Sequence, residues 1–89
     1  MEQYPFLNEV VGKILRQKRE KMEMSKRQLS TLASIERAYI TGIEQGKWNV
    51  SLNGLFHLCE ALEIDPEELM RMVKKELEEK TGKNWPFLE

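Results

Sequence analysis

The chain has 89 residues, 40% of them hydrophobic and 33% charged, which suits one soluble domain with a single modest core. No apolar run approaches the length of a membrane span, and the start Met1-Glu2-Gln3-Tyr4 is neither a signal nor a transit peptide. The single cysteine, Cys59, permits no disulfide framework, so a reducing cytoplasm fits best. The net charge of −1 on its own counts against a nucleic-acid partner, but the charge is unevenly placed. Up to residue 50 there are nine Lys/Arg against six Asp/Glu; beyond it there are five against nine. Lys13, Arg16, Lys18, Arg19, Lys21, Lys26 and Arg27 form a basic run diluted only by Glu20 and Glu23. An anionic partner would meet this half; the plain alternative is an ordinary solvated face.

No stretch alternates apolar and polar residues as a strand requires, and there is neither a hairpin dipeptide nor an internal repeat. Five helical segments appear in order. The first, from about Asn8 to Lys21, carries Val10, Val11, Ile14 and Leu15, with Met22 following. The second opens at the N-cap Ser25 and points Leu29, Leu32 and Ala33 inward. The third, roughly Glu36 to Gln45, sets Ile40 and Ile43 on one side and has Gly46 as its stop signal. Arg37, Ala38, Thr41 and Gly42 fall together on its opposite side. The fourth follows Ser51, a second N-cap, and lines up Leu55, Leu58, Cys59 and Leu62. The fifth begins Asp65-Pro66-Glu67-Glu68, read as an N-cap, a proline at the first helical position and a glutamate closing a capping box. Its stripe Leu69, Met72, Val73 and Leu77 runs to about Lys80, ahead of an aromatic tail with Trp85, Phe87 and Leu88.

Catalytic chemistry finds no footing. Cys59 belongs to an apolar stripe, and His57, the one histidine, has no carboxylate or cysteine placed to build a metal site with it. No phosphate loop, HExxH or GxSxG occurs. The chain reads as a non-enzyme with no cofactor and no metal. Glu44 is the charge that asks for a partner, since it lies near the buried side at the end of the third helix. A place on the surface of the final turn is its other reading.

From Val11 to Leu69 the string VGKILRQKREKMEMSKRQLSTLASIERAYITGIEQGKWNVSLNGLFHLCEALEIDPEEL resembles the helix-turn-helix domain of the phage lambda repressor and Cro class. The features that match are Arg19 late in the first helix, the capped SKRQLSTLA, and the Ile-x-x-x-Glu-x-Gly pattern at Ile40, Glu44 and Gly46. SIERAYITGIEQGKWNVSL looks most like the controller proteins of restriction-modification systems. Three residues depart from the pattern: Glu36 stands where a better helix cap is usual, Ser34 where a turn glycine is usual, and Gly54 is an unexpected glycine near the start of the fourth helix.

The resemblance implies an all-α, compact five-helix helix-turn-helix DNA-binding domain of the lambda repressor-like type with an extended C-terminal helix. Residues 1–8 would form an arm, 9–80 the domain and 81–89 a tail. The third helix would enter the major groove with Arg37, Ala38, Thr41 and Gly42 at the bases. Packing of Gly42 against the second helix is the alternative for that residue. Lys26 and Gln28 at the start of the second helix would meet the DNA backbone, with Tyr39, Lys47, Trp48, Asn49 and Ser51 holding phosphate on the far side. Arg19 and Glu44 would form a structural salt bridge. The expected partners are a palindromic double-stranded operator and a second copy, with no membrane. Leu69, Met72, Val73, Leu77, Trp85 and Phe87 are the expected dimer interface; the alternative is a tail folded back on Tyr4 and Phe6. The function implied is that of a dimeric transcriptional regulator. Two rivals are a DNA-binding antitoxin, whose tail would hold a toxin, and a protein–protein module that has lost DNA binding.

Overall fold

Capping residues and turns divide the chain into five helices, seen in a computed structural model that describes residues 1–87; Leu88 of the expected tail lies outside the described residues. They are α1 (Leu7–Lys21), α2 (Lys26–Ala33), α3 (Arg37–Glu44), α4 (Leu52–Ala61) and α5 (Pro66–Thr81), and no strand occurs among the described residues. None of these helices is long and apolar enough to cross a membrane.

The starts follow local chemistry. Ser25 accepts a hydrogen bond from the N–H of Gln28, whose side chain takes the N–H of Ser25 in return, so the capping box of this chain sits on α2. The box expected on α5 does not close: Asp65 Oδ1 accepts instead from Glu67 N at 2.8 Å, with Pro66 leading the first turn. Ser51 caps α4 through Gly54 N. Glu36 heads α3 without any side-chain cap, and Ser34, between α2 and α3, adopts the left-handed conformation at φ 55°. α3 stops in a Schellman turn, with Lys47 N bonded to Gly42 O, Gly46 N to Ile43 O, and Gly46 at φ 73°.

The core is built as the stripes require. Val10, Ile14 and Leu15 of α1, Leu29 and Ala33 of α2, Ile40 and Ile43 of α3, and Leu55, Leu58, Cys59 and Leu62 at α4 share one cluster. Burial, aided by the charge of Asp65, pushes the Cys59 thiol up, so it stays protonated and packs as a small apolar group. Leu32, expected inside, is 63% exposed, because one short helix can turn only Leu29 and Ala33 toward the core.

The larger correction concerns α5. Leu69, Val73 and Leu77 are almost wholly buried within the single chain, and Met72 is half-buried against the same cluster. The helix lies along α1, held at its edges by Lys13–Glu76 at 3.2 Å and Glu9–Lys80 at 3.3 Å. The stripe expected to pair two copies is thus taken up by the core. The tail folds back as in the alternative reading: Trp85 rests 6.0 Å from Tyr4 and 5.2 Å from Phe87 between ring centres, while Lys80 lies over Phe6.

Candidate nucleic-acid interface

An eight-residue helix has two faces, and α3 gives them opposite work. Ile40, Gly42 and Ile43 are buried, whereas Arg37 and Ala38 are exposed and Thr41 is half-buried at the edge of the open face. Gln45, just past the last turn, is exposed eight residues on from Arg37 and four from Thr41, so it extends the same stripe. That spacing is visible in the sequence, so Gln45 is a candidate that the periodicity of α3 could have supplied.

The buried face is fixed by an ion pair. Arg19 Nε donates to Glu44 Oε2 at 2.7 Å and Nη2 to Oε1 at 3.0 Å, while Nη1 donates to the carbonyl of Met24 at 2.7 Å. One guanidinium therefore ties α1, the α1–α2 turn and the end of α3. The Glu44 side chain is only 4% exposed. Its carboxylate lifts the Arg19 guanidinium further above an already high ordinary value, against the opposing effect of burial, so the guanidinium stays charged.

Gly42 does not join the open face. A Cβ built on it would sit 2.5 Å from Cδ2 of Trp48, whose indole lies over the glycine, so the residue is buried and cannot meet a base. The close approach expected of this glycine is real, but the approaching group is the chain's own tryptophan rather than DNA or α2.

Tyr39 also takes a different role. Its hydroxyl donates to the carbonyl of Asn49 and accepts from the N–H of Ser51, both at 3.1 Å, and its ring lies 6.0 Å from that of Trp48. The hydroxyl has one proton, already given to Asn49, so Tyr39 shapes the α3–α4 loop instead of donating to phosphate. That loop holds Lys47, Trp48 and Asn49 exposed beyond the end of α3, with Ser51 exposed at the start of α4.

On the other flank, the N-terminus of α2 offers the unpaired N–H groups of its first turn. The Gln28 amide oxygen is held by Ser25, which leaves its NH2 free to donate outward. Lys26 is half-buried and reaches across to α3, where its Nζ lies 3.5 Å from Thr41 Oγ1. Among the described residues, neither Arg37 nor Lys47 is held by a carboxylate. The result is a narrow ridge with hydrogen-bond donors on both shoulders, the shape and polarity that a major groove between two phosphate strands accepts.

Comparison with known proteins agrees with this geometry. Residues 14–75 match the family model of the Cro/C1-type HTH DNA-binding domain. The control protein C.BamHI of Bacillus amyloliquefaciens is 37% identical over 60 residues, 66% of this chain and 74% of that protein. The crystal structure of the restriction-modification controller protein C.AhdI from Aeromonas hydrophila is 38% identical with a TM-score of 0.69, covering 74% of this chain and 98% of that one. The controller C.Esp1396I is 26% identical with a TM-score of 0.75, over 83% and 95% of the two chains; a tyrosine-to-phenylalanine mutant of it is bound to its highest-affinity operator site. With five helices, a bipartite α2–α3 pair and a family match over most of its length, this chain belongs to the Cro/C1-type helix-turn-helix DNA-binding domain family.

Proposed function

We propose that this chain is a transcriptional regulator of the controller type, binding a palindromic operator as a dimer with α3 of each copy in the major groove. The observation that carries the reading is the division of α3. Arg37 and Ala38 project from a helix whose other face is fixed by the Arg19–Glu44 pair, between two shoulders of donors. Arg37 bonds guanine through its fork, and Ala38 meets a thymine methyl. The exposed N–H groups of α2, Gln28, Lys47, Asn49 and Ser51 position the domain on phosphate without reading sequence.

One recognition helix buries too little surface for tight specific binding, which favours two copies on a two-fold operator. With the stripe of α5 committed to the core, α4 offers an apolar patch for pairing, in which Leu52 and Phe56 are 72% and 54% exposed, one turn apart. An antitoxin reading is disfavoured because Trp85 and Phe87, the tail residues that would hold a toxin, pack on the chain's own N-terminal arm and core.

Titrations on cognate and scrambled duplexes at several salt concentrations test the reading. Arg37→Ala lowers affinity for the cognate site by about 1–3 kcal/mol and leaves nonspecific binding nearly unchanged. Lys47→Ala lowers both and flattens the salt slope by about one unit. Equal proportional losses from Arg37→Ala on both duplexes would confine α3 to the backbone and reject the reading.

A further inference from the structure

Lys26 occupies the first position of α2, where a lysine ordinarily extends toward solvent and a passing phosphate. Here its side chain is half-buried and turned across the crease between α2 and α3, with Nζ 3.5 Å from Thr41 Oγ1. Thr41 is unusual in its own way. Thr31 and Thr81 give their hydroxyl protons to the carbonyls four residues back, Arg27 and Leu77, at 3.1 and 2.9 Å. Thr41 makes no such bond among the described residues; its hydroxyl accepts from Lys26 and keeps its proton for an outside acceptor. It lies one turn from Arg37 on the face that the proposed function directs at DNA.

We infer that Lys26 and Thr41 form one composite donor that reads a guanine in each half-site, and that Lys26 is a specificity-determining residue rather than a backbone clamp. The inference rests on the proposed function and deepens it. An ammonium has three N–H donors and no acceptor. One N–H is given to Thr41, so two remain, and the Thr41 hydroxyl adds a third. In the major groove guanine presents two acceptors, N7 and O6, while adenine and cytosine each present an amino donor. The donor pair therefore selects guanine: the amino groups of adenine and cytosine repel it, and thymine offers only one acceptor, O4, beside a methyl group. Phosphate binding at this end does not need the ammonium, since the N–H groups of Lys26 and Arg27, left over where Ser25 takes those of Gln28 and Leu29, and the NH2 of Gln28 can donate instead.

The test begins with selection of duplexes from a random library by the wild-type chain, followed by affinities for the selected site and for each single-base replacement of it. Wild type shows a guanine requirement at one position per half-site in addition to that of Arg37. Lys26→Met and Thr41→Val each erase most of the discrimination there, about tenfold, and leave scrambled duplex much less affected. The double variant loses no more than either single one, because the two groups act as a unit. Thr41→Ser, which keeps the hydroxyl, keeps the preference, and thermal melts of all four variants verify that each is folded. If Lys26→Met weakens selected and scrambled duplexes by the same factor with every base preference intact, the pair is overturned while the DNA-reading function stands. A wild-type chain that selects no sequence overturns both.

Discussion

Arg19 and Glu44 show how much one charge pair can decide. Both side chains are nearly enclosed, and each depends on the other for a bidentate partner. Removing one strands the other, which typically costs about 3–5 kcal/mol. Glu44→Ala is expected to lower the melting temperature far more than Glu36→Ala, since Glu36 is exposed and caps nothing. Thermal unfolding of the two variants by circular dichroism checks this, and equal shifts would place the stabilisation elsewhere. The spacing of Arg19 and Glu44 made the pair legible in the sequence through the family resemblance. Gly42 was not legible in the same way. A helical projection assigns it to the open side of α3, but Trp48, which returns over it after the Schellman turn, lies outside any projection of the helix.

Among the elements, helix boundaries were readable because caps are local chemistry. Ser25, Ser51 and Asp65 all accept from the first turn of the helices they precede. What a helix face meets is not local, and here α5 misled. Its stripe is longer than a minimal core needs, yet α1 is nearly as long and lies along it, so Leu69 through Leu77 find cover within one chain. The turn between α2 and α3 carries a strain that the sequence did flag. Ser34 holds φ 55° and ψ 43° in a place that suits glycine. A left-handed non-glycine residue costs about 1–2 kcal/mol, and glycine gives back about 0.5–1 kcal/mol through the entropy of the unfolded chain. Ser34→Gly is therefore expected to stabilise the fold by about 0.5–1 kcal/mol, measured as a shift in urea midpoint at unchanged slope. Destabilisation would mean that the Ser34 side chain contributes more than its backbone conformation takes away.

At the scale of the whole molecule, net charge was a poor guide and its placement a better one. The acidic surplus belongs to the α4–α5 half, and α5 packs on α1 rather than on α3, so the recognition helix stands among the basic residues of the first half. The proposed dimer would use apolar surface that the core leaves uncovered. If α4 forms the two-fold contact, Phe56→Glu yields monomers in sedimentation while the melt remains cooperative, because Phe56 is exposed and its loss leaves no cavity. Persistence of the dimer in Phe56→Glu and Leu52→Glu alike would exclude α4. That the α5 stripe is covered within one chain could not be read from the sequence. Both helices carry apolar residues off their main stripe, and only packing decides which ones remain outside.

The two faces of α3 also set how this chain can diverge over generations. Ile40, Gly42, Ile43 and Glu44 are bound to the fold, whereas Arg37 and Ala38 stand exposed outside the core. Exchanges at such open positions typically move stability by less than about 0.5 kcal/mol. If Arg37 and Ala38 read the operator as proposed, a lineage can sample new operator sequences without passing through unfolded intermediates, and two descendants in one cell can stop recognising each other's sites while keeping the same scaffold. Divergence in what is read and conservation of how it is held are built into alternate sides of eight residues.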